Sequence, residues 1–171
     1  MTPVYQTIVD PDHGNCMQAT FASLFDMNLE DVPHFLELKD GWFPSFYKII
    51  VEKGYDYEGG LYNKKLNELR FPGEPTTEKF QLENIKDLQG VNGYFYACVY
   101  SPKYFDPAKG YTDQITHAVI VDKNLNIVHD PNPNNKDVKY PLADEIGHNG
   151  IHYIFVIEPK EPGKDPKFKN V

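Results

Sequence analysis

Cys16 directly follows the loop sequence DPDHGN and begins an apolar pattern with helical spacing. Met17, Phe21 and Leu24 belong to this pattern, so the sequence predicts a helix that starts at Cys16. A thiol in the first turn of a helix lies near the positive end of the helix dipole, which lowers its pKa and favours the nucleophilic thiolate. Such a thiol becomes a catalyst only with a base and an orienting group beside it.

The base and the orienting group are predicted in the segment THAVIVDKNLNIVHDPNP. Its apolar residues indicate two strands, and a hairpin with a two-residue loop at residues 123–124 places His117 opposite Asp130. Directly opposed side chains have Cβ atoms about 5 Å apart, which allows a hydrogen bond between an imidazole and a carboxylate. A longer loop would instead place His117 opposite Asn132.

A carboxylate opposite His117 would fix the tautomer of the imidazole and stabilise its cationic form. Cys16 would then be stored as a thiolate paired with the imidazolium, ready for acyl transfer. The backbone N–H of Cys16 can stabilise a developing oxyanion, and a second donor is needed. Gln6 is the candidate for this donor, and Asn15 and Gln18 are the alternatives.

The two segments resemble the papain-like cysteine peptidase superfamily, and within it the small papain-like proteins of bacteria and their bacteriophages. The resemblance rests on YQTIVDPDHGNCMQATFASLFDMNLEDVPHF and on THAVIVDKNLNIVHDPNP. It implies Cys16 as nucleophile, His117 as general base and acid, Asp130 as orienting residue, and a glutamine upstream of the cysteine as oxyanion donor. It also implies hydrolysis of a peptide, isopeptide or other amide through an acyl-enzyme.

Three functions follow from these residues. The first, which we favour, is a thiol hydrolase, either a peptidase, an isopeptidase or an amidase. The second is an acyl transferase or deamidase with the same triad, and the third is a non-catalytic papain-like domain that binds a partner. The expected partner is a peptide, isopeptide or amide substrate, for which a host protein is one source, and no cofactor is expected.

The predicted elements are helices first and strands later, which indicates an α+β domain. Further helices are predicted at residues 44–53, 62–70 and 82–88. Strands are predicted in GYFYACVYS, THAVIVD, NIVHD and GIHYIFVIEP. In a papain-like arrangement the helical N-terminal part, with Cys16 at a helix N-terminus, packs on a C-terminal antiparallel sheet. We expect one domain over residues 1–158 and a mobile tail over residues 159–171, because the tail is rich in Pro and Lys and has little to bury.

The composition argues against binding of nucleic acid or of an anionic membrane. The chain has 171 residues, a formal charge of −8 and a pI near 5.2, so it lacks the basic surface that both would need. Its N-terminus does not resemble a secretion signal, and no stretch approaches the ~18 apolar residues of a membrane helix. The sequence therefore predicts a cytoplasmic protein without membrane contact.

The other cysteine, Cys98, lies within a predicted strand and is expected to be a buried structural thiol. In a reducing compartment, a disulfide with Cys16 is not expected. His13 and Cys16 have the spacing of metal ligands, but a structural zinc needs two more soft ligands and Cys98 is the only other cysteine. No metal site is therefore predicted.

Three aromatic residues are candidates for substrate binding. Tyr104 and Tyr111 lie in a Pro- and Gly-containing loop just before His117, and loops beside a catalytic strand commonly hold substrate. Trp42 is the third candidate, although the aromatic run around it is more typical of a hydrophobic core.

Overall fold

The computed structural model describes residues 1–169, in which helices pack against one antiparallel sheet. The helices are α1 (Cys16–Leu24), α2 (Phe43–Glu52), α3 (Lys64–Arg70) and α4 (Ala143–Ile146). The strands are β1 (Tyr55–Tyr62), β2 (Phe95–Tyr100), β3 (Thr116–Val121), β4 (Ile127–His129) and β5 (Ile151–Pro159). Short 3₁₀ helices span Leu29–Asp31, Phe35–Glu37, Glu78–Phe80, Leu82–Asp87 and His148–Gly150. In this part of the chain, no helix combines the length and apolar character needed to cross a bilayer.

The five strands form a sheet of order β1-β5-β2-β3-β4 in which every neighbouring pair is antiparallel. Strands β2 and β3 are buried along most of their length because both faces of the sheet are covered. One face packs with α1 and α2 around Phe21, Phe46 and Ile120. The other face packs with the 3₁₀ helix Leu82–Asp87 around Val119. The predicted α+β class is therefore confirmed.

Two buried hydroxyl groups fix α1 against its neighbours. Thr20 Oγ1 donates to the carbonyl oxygen of Ala118 in β3, at 3.2 Å. Ser23 Oγ accepts from the backbone N–H of Val4 at 2.8 Å, which ties the N-terminal segment to the same helix. These contacts hold α1 along β3, with Cys16 close to the residues at the start of that strand.

Most predicted elements are present close to their predicted bounds. Helix α2 begins one residue before the predicted position, with Pro44 in its first turn. Helix α3 begins after Asn63, whose side chain accepts from the N–H of Leu66 at 3.0 Å as a helix cap. The predicted helix at residues 82–88 is instead the 3₁₀ helix Leu82–Asp87.

Strand β1 was not predicted, because its sequence YDYEGGLY contains two glycines and lacks regular alternation. It forms as an edge strand because β5 supplies an antiparallel partner, with a register shift between Tyr57 and Gly59. The Tyr153 ring of β5 lies over Gly60, where any Cβ atom would overlap it. A distant strand thus determines the conformation of a segment that is weak on its own.

The turn between β3 and β4 is longer than the predicted two-residue loop. The observed pairs are Ile120 with His129 and Val121 with Ile127. The Asp122 carboxylate accepts from the N–H groups of Asn124 and Asn126 at 2.9 and 3.0 Å and so organises the turn. Leu125, and not Asn124, has the positive φ, at 62°. The register of the two-residue loop was therefore wrong, and the pair of Ile120 with His129 follows the alternative register of the longer loop.

The C-terminal segment makes contacts that its composition did not predict. Strand β5 ends at Pro159, next to the predicted boundary of the domain. Beyond it, Phe168 contacts the rings of Phe43 and Tyr47 edge to face, at centroid distances of 5.6 and 5.3 Å. The Phe168 N–H also donates to the Tyr47 hydroxyl at 3.0 Å. The predicted tail therefore has an apolar anchor at Phe168; its last two residues, 170 and 171, lie outside the described part.

Candidate active site

Cys16 is the first residue of α1, and the loop before it is folded into a tight turn. The Asp10 carboxylate accepts from the N–H groups of Asp12 and His13 at 2.9 and 2.7 Å. The Gly14 N–H donates to the Asp10 carbonyl oxygen at 3.1 Å. Side-chain acceptors of this kind stabilise turns, so the sequence DPDHGN positions the start of the helix and with it the Cys16 thiol.

The turn leaves no room for a side chain at position 14, so only glycine fits there. A Cβ at position 14 would lie 2.6 Å from the carbonyl oxygen of Asp10, a backbone atom that cannot move alone. We expect Gly14→Ala to shift the turn and slow the alkylation of Cys16 by roughly tenfold, since small displacements of reacting groups have large effects on rate. Gly110→Ala is the matched control, because nothing lies within 4 Å of its Cβ position. Equal alkylation rates in the two variants would show that the turn does not position the thiol.

The side chain of Asn15 holds the N-terminal segment in place. Its Oδ1 accepts from the N–H groups of Thr7 and Ile8 at 3.0 and 2.9 Å, and its Nδ2 donates to Thr7 Oγ1 and Gln18 Oε1. The Nε2 of Gln18 donates in turn to backbone carbonyls after α1. Because these amide donors are already used, the structure corrects the prediction of Asn15 as an oxyanion donor and also disfavours Gln18.

Gln6 lies in the same cleft as Cys16 and His117 and is buried. Its Nε2 donates one hydrogen to the Ile8 carbonyl oxygen at 2.8 Å, which leaves a second hydrogen on the same nitrogen. Its backbone N–H donates to the carbonyl oxygen of Pro131, next to Asp130. Of the three amide side chains considered, Gln6 is therefore the one whose position and free hydrogen suit an oxyanion donor.

His117 and Asp130 form the predicted contact, with 2.7 Å between His117 Nε2 and Asp130 Oδ1. The other ring nitrogen, Nδ1, is then left for Cys16, which lines the same cleft as His117. The observed register, extended to the start of β3, would pair His117 with Asn132. Strand β4 ends at His129, however, and the Asp130 side chain reaches back to the ring. The contact was predicted correctly from a register that is wrong.

The three groups shift each other's pKa in the directions that an ion pair requires. Burial disfavours the Cys16 thiolate, but the hydrogen bond and charge of His117 outweigh burial and lower the pKa of Cys16. Burial also disfavours the imidazolium, yet Asp130 and Cys16 raise the pKa of His117 to about 9. The pKa of Asp130 is lowered despite burial, chiefly by His117. Both shifts favour the pair of a thiolate and an imidazolium over the pair of a neutral thiol and a neutral imidazole.

Cys98 has the opposite environment. It lies in β2, and burial raises the pKa of this thiol to about 12, so it stays protonated. The nearby Cys16 thiolate adds to this shift because two negative charges repel. The prediction of Cys98 as a structural thiol agrees with this environment, and the residue offers an internal control for the reactivity of Cys16.

Four hydrogen bonds fix the Asp130 carboxylate. Its Oδ1 accepts from His117 and from the Asn132 N–H at 2.8 Å. Its Oδ2 accepts from the Tyr140 hydroxyl at 2.6 Å and from Asn135 Nδ2 at 3.0 Å. Sequence reasoning missed Tyr140 and Asn135. The run of Pro and Asn residues after Asp130 was a signal for a turn, but it did not identify these partners.

Tyr140→Phe removes one of these donors and keeps the ring, which packs against the core. Without the hydroxyl, the Asp130 carboxylate is less stabilised and supports the imidazolium less. We expect Cys16 alkylation below neutral pH to slow by roughly three- to tenfold. This is less than the direct effect of a hydrogen bond to a charged group, because the hydroxyl acts on Cys16 only through Asp130 and His117. Tyr100→Phe is the control, because that hydroxyl donates to the Tyr111 carbonyl oxygen instead. If both variants behaved like the wild type, Tyr140 would have no positioning role.

The cleft beside the triad is small and encloses a cavity of about 60 Å³. Tyr104 lines it, as predicted, together with Leu36, Ser101 and Asn132. Leu36 is 53% exposed although it is apolar, because its 3₁₀ helix buries the neighbouring Phe35 instead. The position of Leu36 at this cleft was not predicted, since an isolated leucine carries no sequence signal for binding.

Two predicted substrate-binding residues lie elsewhere. Tyr111 packs beside Tyr100 in a separate cluster, and its backbone oxygen accepts from the Tyr100 hydroxyl. The Trp42 ring stacks on Phe155 at 5.9 Å and meets Phe46 edge to face, within the core between α2 and the sheet. Neither lines the cleft at Cys16. Both assignments are corrected: these aromatic rings bury apolar surface.

Within residues 1–169, the potential metal-ligating side chains do not come together in groups of three or more. Comparisons with protein-family models, with curated proteins and with solved structures found nothing that matches this chain. What the protein does must therefore be argued from the geometry of its own site.

Proposed function

We propose that this protein is a thiol hydrolase with a papain-like fold, in which Cys16, His117 and Asp130 cleave an amide through an acyl-enzyme. The observation that carries the proposal is that Cys16 and His117 line one cleft while the His117 ring hydrogen-bonds to the Asp130 carboxylate at 2.7 Å. Cys16 lies at a helix N-terminus, where the dipole favours a thiolate. A nucleophile, a base and an orienter in this order are the recognised parts of such a catalyst.

In the first step the Cys16 thiolate attacks the substrate carbonyl carbon. The oxyanion accepts from the Cys16 N–H, which has no partner within the helix because it lies in the first turn. The second donor is Gln6 Nε2. His117 gives its Nδ1 proton to the leaving amine, the C–N bond breaks, and a thioester remains. His117 then removes a proton from water, which attacks the thioester and releases the acid and the thiolate. Asp130 stays ionised throughout.

The substrate in this proposal is a peptide, isopeptide or other amide, and a protein of a host is one source of it. A cytoplasmic location fits the mechanism, because a reducing compartment keeps Cys16 available as a free thiol. A purely binding role leaves the ion pair without a purpose, since a partner surface does not require a thiolate. Under that alternative, Cys16→Ser would leave function unchanged.

The test compares the two cysteines of the same chain. Cys16 should react with iodoacetamide at least about 30-fold faster than Cys98 at neutral pH, because an unperturbed thiol is only a few per cent ionised there. Peptide mass mapping after timed alkylation measures both rates in one sample. In denaturant the two rates should become equal, since the folded environment is then lost. Equal rates in the native protein would contradict the proposed triad.

A second measurement addresses turnover. Incubating the protein with cell lysate and quenching in acid should leave an acyl group on Cys16, detectable by mass spectrometry of the intact protein. Thioesters survive acid but not hydroxylamine, so hydroxylamine should remove the added mass. His117→Ala should leave no such adduct, because the thiol is then not activated.

A further inference from the structure

The cavity beside Cys16 is small for a substrate site. Its volume is about 60 Å³. Typical ligand pockets are about 300–1,000 Å³. The reacting carbonyl, its oxyanion and the leaving group must all fit in this space. A planar amide with a small leaving group suits so narrow a space better than a scissile bond with a substituted residue on each side.

The walls of this cavity come from separate segments of the chain. The turn at residues 10–14 forms one side, and the segment after β2, with Ser101 and Tyr104, forms another. Leu36 belongs to a third segment, between α1 and α2. A main-chain substrate must pass the thiol on both sides of its scissile bond. A side chain that ends in the reacting group needs only one entrance.

The polar residues around the cavity favour a neutral, hydrogen-bonding group. Ser101 and Asn132 are buried neutral side chains that line it. Asp10 and Lys103 also line it, but both are exposed and their charges are opposite in sign. Among the hydrogen bonds of the described residues, Ser101 Oγ accepts from the Tyr104 N–H and Asn132 Oδ1 accepts from the Asn134 N–H. Ser101 Oγ and Asn132 Oδ1 each keep a second lone pair, so both can still accept a hydrogen bond. They can accept from the two N–H hydrogens of a carboxamide, whose oxygen is bound by the Cys16 N–H and Gln6 Nε2 donors.

We propose that the substrate is the side-chain carboxamide of a glutamine in another protein, so that the enzyme is a deamidase. Glutamine is preferred over asparagine because its two methylene groups carry the carboxamide further from its own backbone, which stays outside the cleft lined by Leu36 and Tyr104. This proposal rests on the thiol-hydrolase function proposed above and names its substrate class.

The reaction balances with water as the only co-substrate. The Cys16 sulfur bonds to the carboxamide carbon, the C–NH₂ bond breaks, and His117 gives its proton to the departing nitrogen as ammonia. Water then attacks the thioester, His117 accepts a proton from it, and the C–S bond breaks. Glutamine and one water thus become glutamate and ammonium, and Cys16 and His117 return to the thiolate and imidazolium. Ammonia is the smallest amine leaving group, which suits the small cavity.

The test offers the enzyme glutamine side-chain amides and peptide bonds in the same sample. Native proteins of a bacterial lysate and, separately, their tryptic peptides are incubated with the full chain and with Cys16→Ser, and mass spectrometry then scores every peptide. Conversion of glutamine to glutamate that requires Cys16 would support the proposal. New peptide termini that require Cys16 would overturn it and leave a peptidase. Neither change, with Cys16 still alkylated much faster than Cys98, would overturn the deamidase but not the thiol hydrolase. Slow alkylation of Cys16 would contradict both.

A second experiment tests the size restriction without any substrate. Iodoacetamide carries a small carboxamide, whereas N-phenylmaleimide is bulky, so the ratio of their rates at Cys16 reports the width of the cavity. Leu36→Ala should raise the relative rate of the bulky reagent about tenfold, in line with the effect of steric exclusion in other pockets. Leu69→Ala, at a leucine that is 36% exposed on α3 and lies away from the cavity, should not change it. A wild-type ratio equal to that of free cysteine would show that the cavity imposes no restriction, and would overturn the proposal.

Discussion

Replacing His117 with alanine should slow the alkylation of Cys16 at neutral pH by roughly 30-fold or more, because an isolated thiol there is only a few per cent ionised. The His117 hydrogen bond and charge are what overcome burial and lower the pKa of Cys16. Without them, burial raises the thiol pKa and is opposed only by the weaker backbone hydrogen bonds of Ala118 and Met17. Timed alkylation with iodoacetamide, read by peptide mass mapping, measures the change.

The pH dependence of Cys16 alkylation in His117→Ala shows the direction in which the thiol pKa changes. A lowered thiol pKa means that the wild-type rate persists as the pH falls below the range in which ordinary cysteines react. In His117→Ala that rate should instead rise only as the pH passes into or above the ordinary thiol range.

Hydrolysis by the wild type should also fall above about pH 9, because His117 loses the proton that it gives to the leaving amine. Activity should therefore have a bell-shaped pH profile with its upper limit set by His117.

His148→Ala is the matched control for this variant. His148 also pairs with a carboxylate, at 3.0 Å from Glu83, but its ring lies at the surface, away from Cys16. Its removal should leave the rate and the pH profile of Cys16 unchanged. If both histidine variants alkylated at the wild-type rate, the thiolate would not depend on His117, and the proposed catalytic pair would be wrong.

The elements that position the site could be predicted because their signals are local. The helical spacing after Cys16 and the loop residues before it identified α1, and the apolar alternation of THAVIVD identified β3. The order of helices followed by strands was sufficient for the α+β class. Each of these signals depends on residues that are close together in the sequence, so no distant partner was needed to recognise them.

Features that depend on distant partners could not be predicted. Strand β1 forms because β5, about 90 residues later, pairs with it and covers Gly60 with the Tyr153 ring. Phe168 has an apolar site only because Phe43 and Tyr47 are brought to it by α2. In both cases the segment itself is polar or rich in glycine or proline, so its own sequence indicates a loop.

The site residues also fall into those that local sequence could predict and those that it could not. His117 and Asp130 are separated by a single turn, so their contact was accessible even with an incorrect register. The amide of Asn15 could have faced either the cleft or the backbone of residues 7–8, and sequence does not distinguish these directions. The Tyr140 hydroxyl reaches Asp130 through a turn of irregular backbone, which has no periodic pattern from which to predict it.

Replacing Asp130 with alanine should both slow Cys16 alkylation and destabilise the fold. The change leaves the hydrogen-bond donors of His117, Tyr140 and Asn135 without their buried acceptor. Removing one partner of a buried ion pair costs about 3–5 kcal/mol of unfolding free energy. Domains of this size commonly have about 5–15 kcal/mol in total, so the variant should still fold, with a lower Tm. Thermal unfolding and alkylation, measured on the same sample, separate the two effects.

Asp130→Asn tests charge separately from shape. An asparagine keeps an oxygen for His117 Nε2, but its Nδ2 group would meet the Asn135 Nδ2 group, so two donors face each other. Adding Asn135→Asp supplies an acceptor for that Nδ2 and should recover much of the lost stability. The negative charge would then lie beside residue 130 and no longer in contact with the imidazole.

The double variant therefore distinguishes the two roles of Asp130. If the carboxylate only caps the end of β4, restored stability should restore the wild-type rate of Cys16 alkylation and its pH profile. If the carboxylate supports the imidazolium, the protein should recover its Tm while the thiolate still forms only at higher pH. The second result is expected, because Asp130 raises the pKa of His117 by hydrogen bond and by charge, and the hydrogen bond alone survives. A neutral orienter holds the ring in place, but it does not hold the proton that keeps Cys16 ionised.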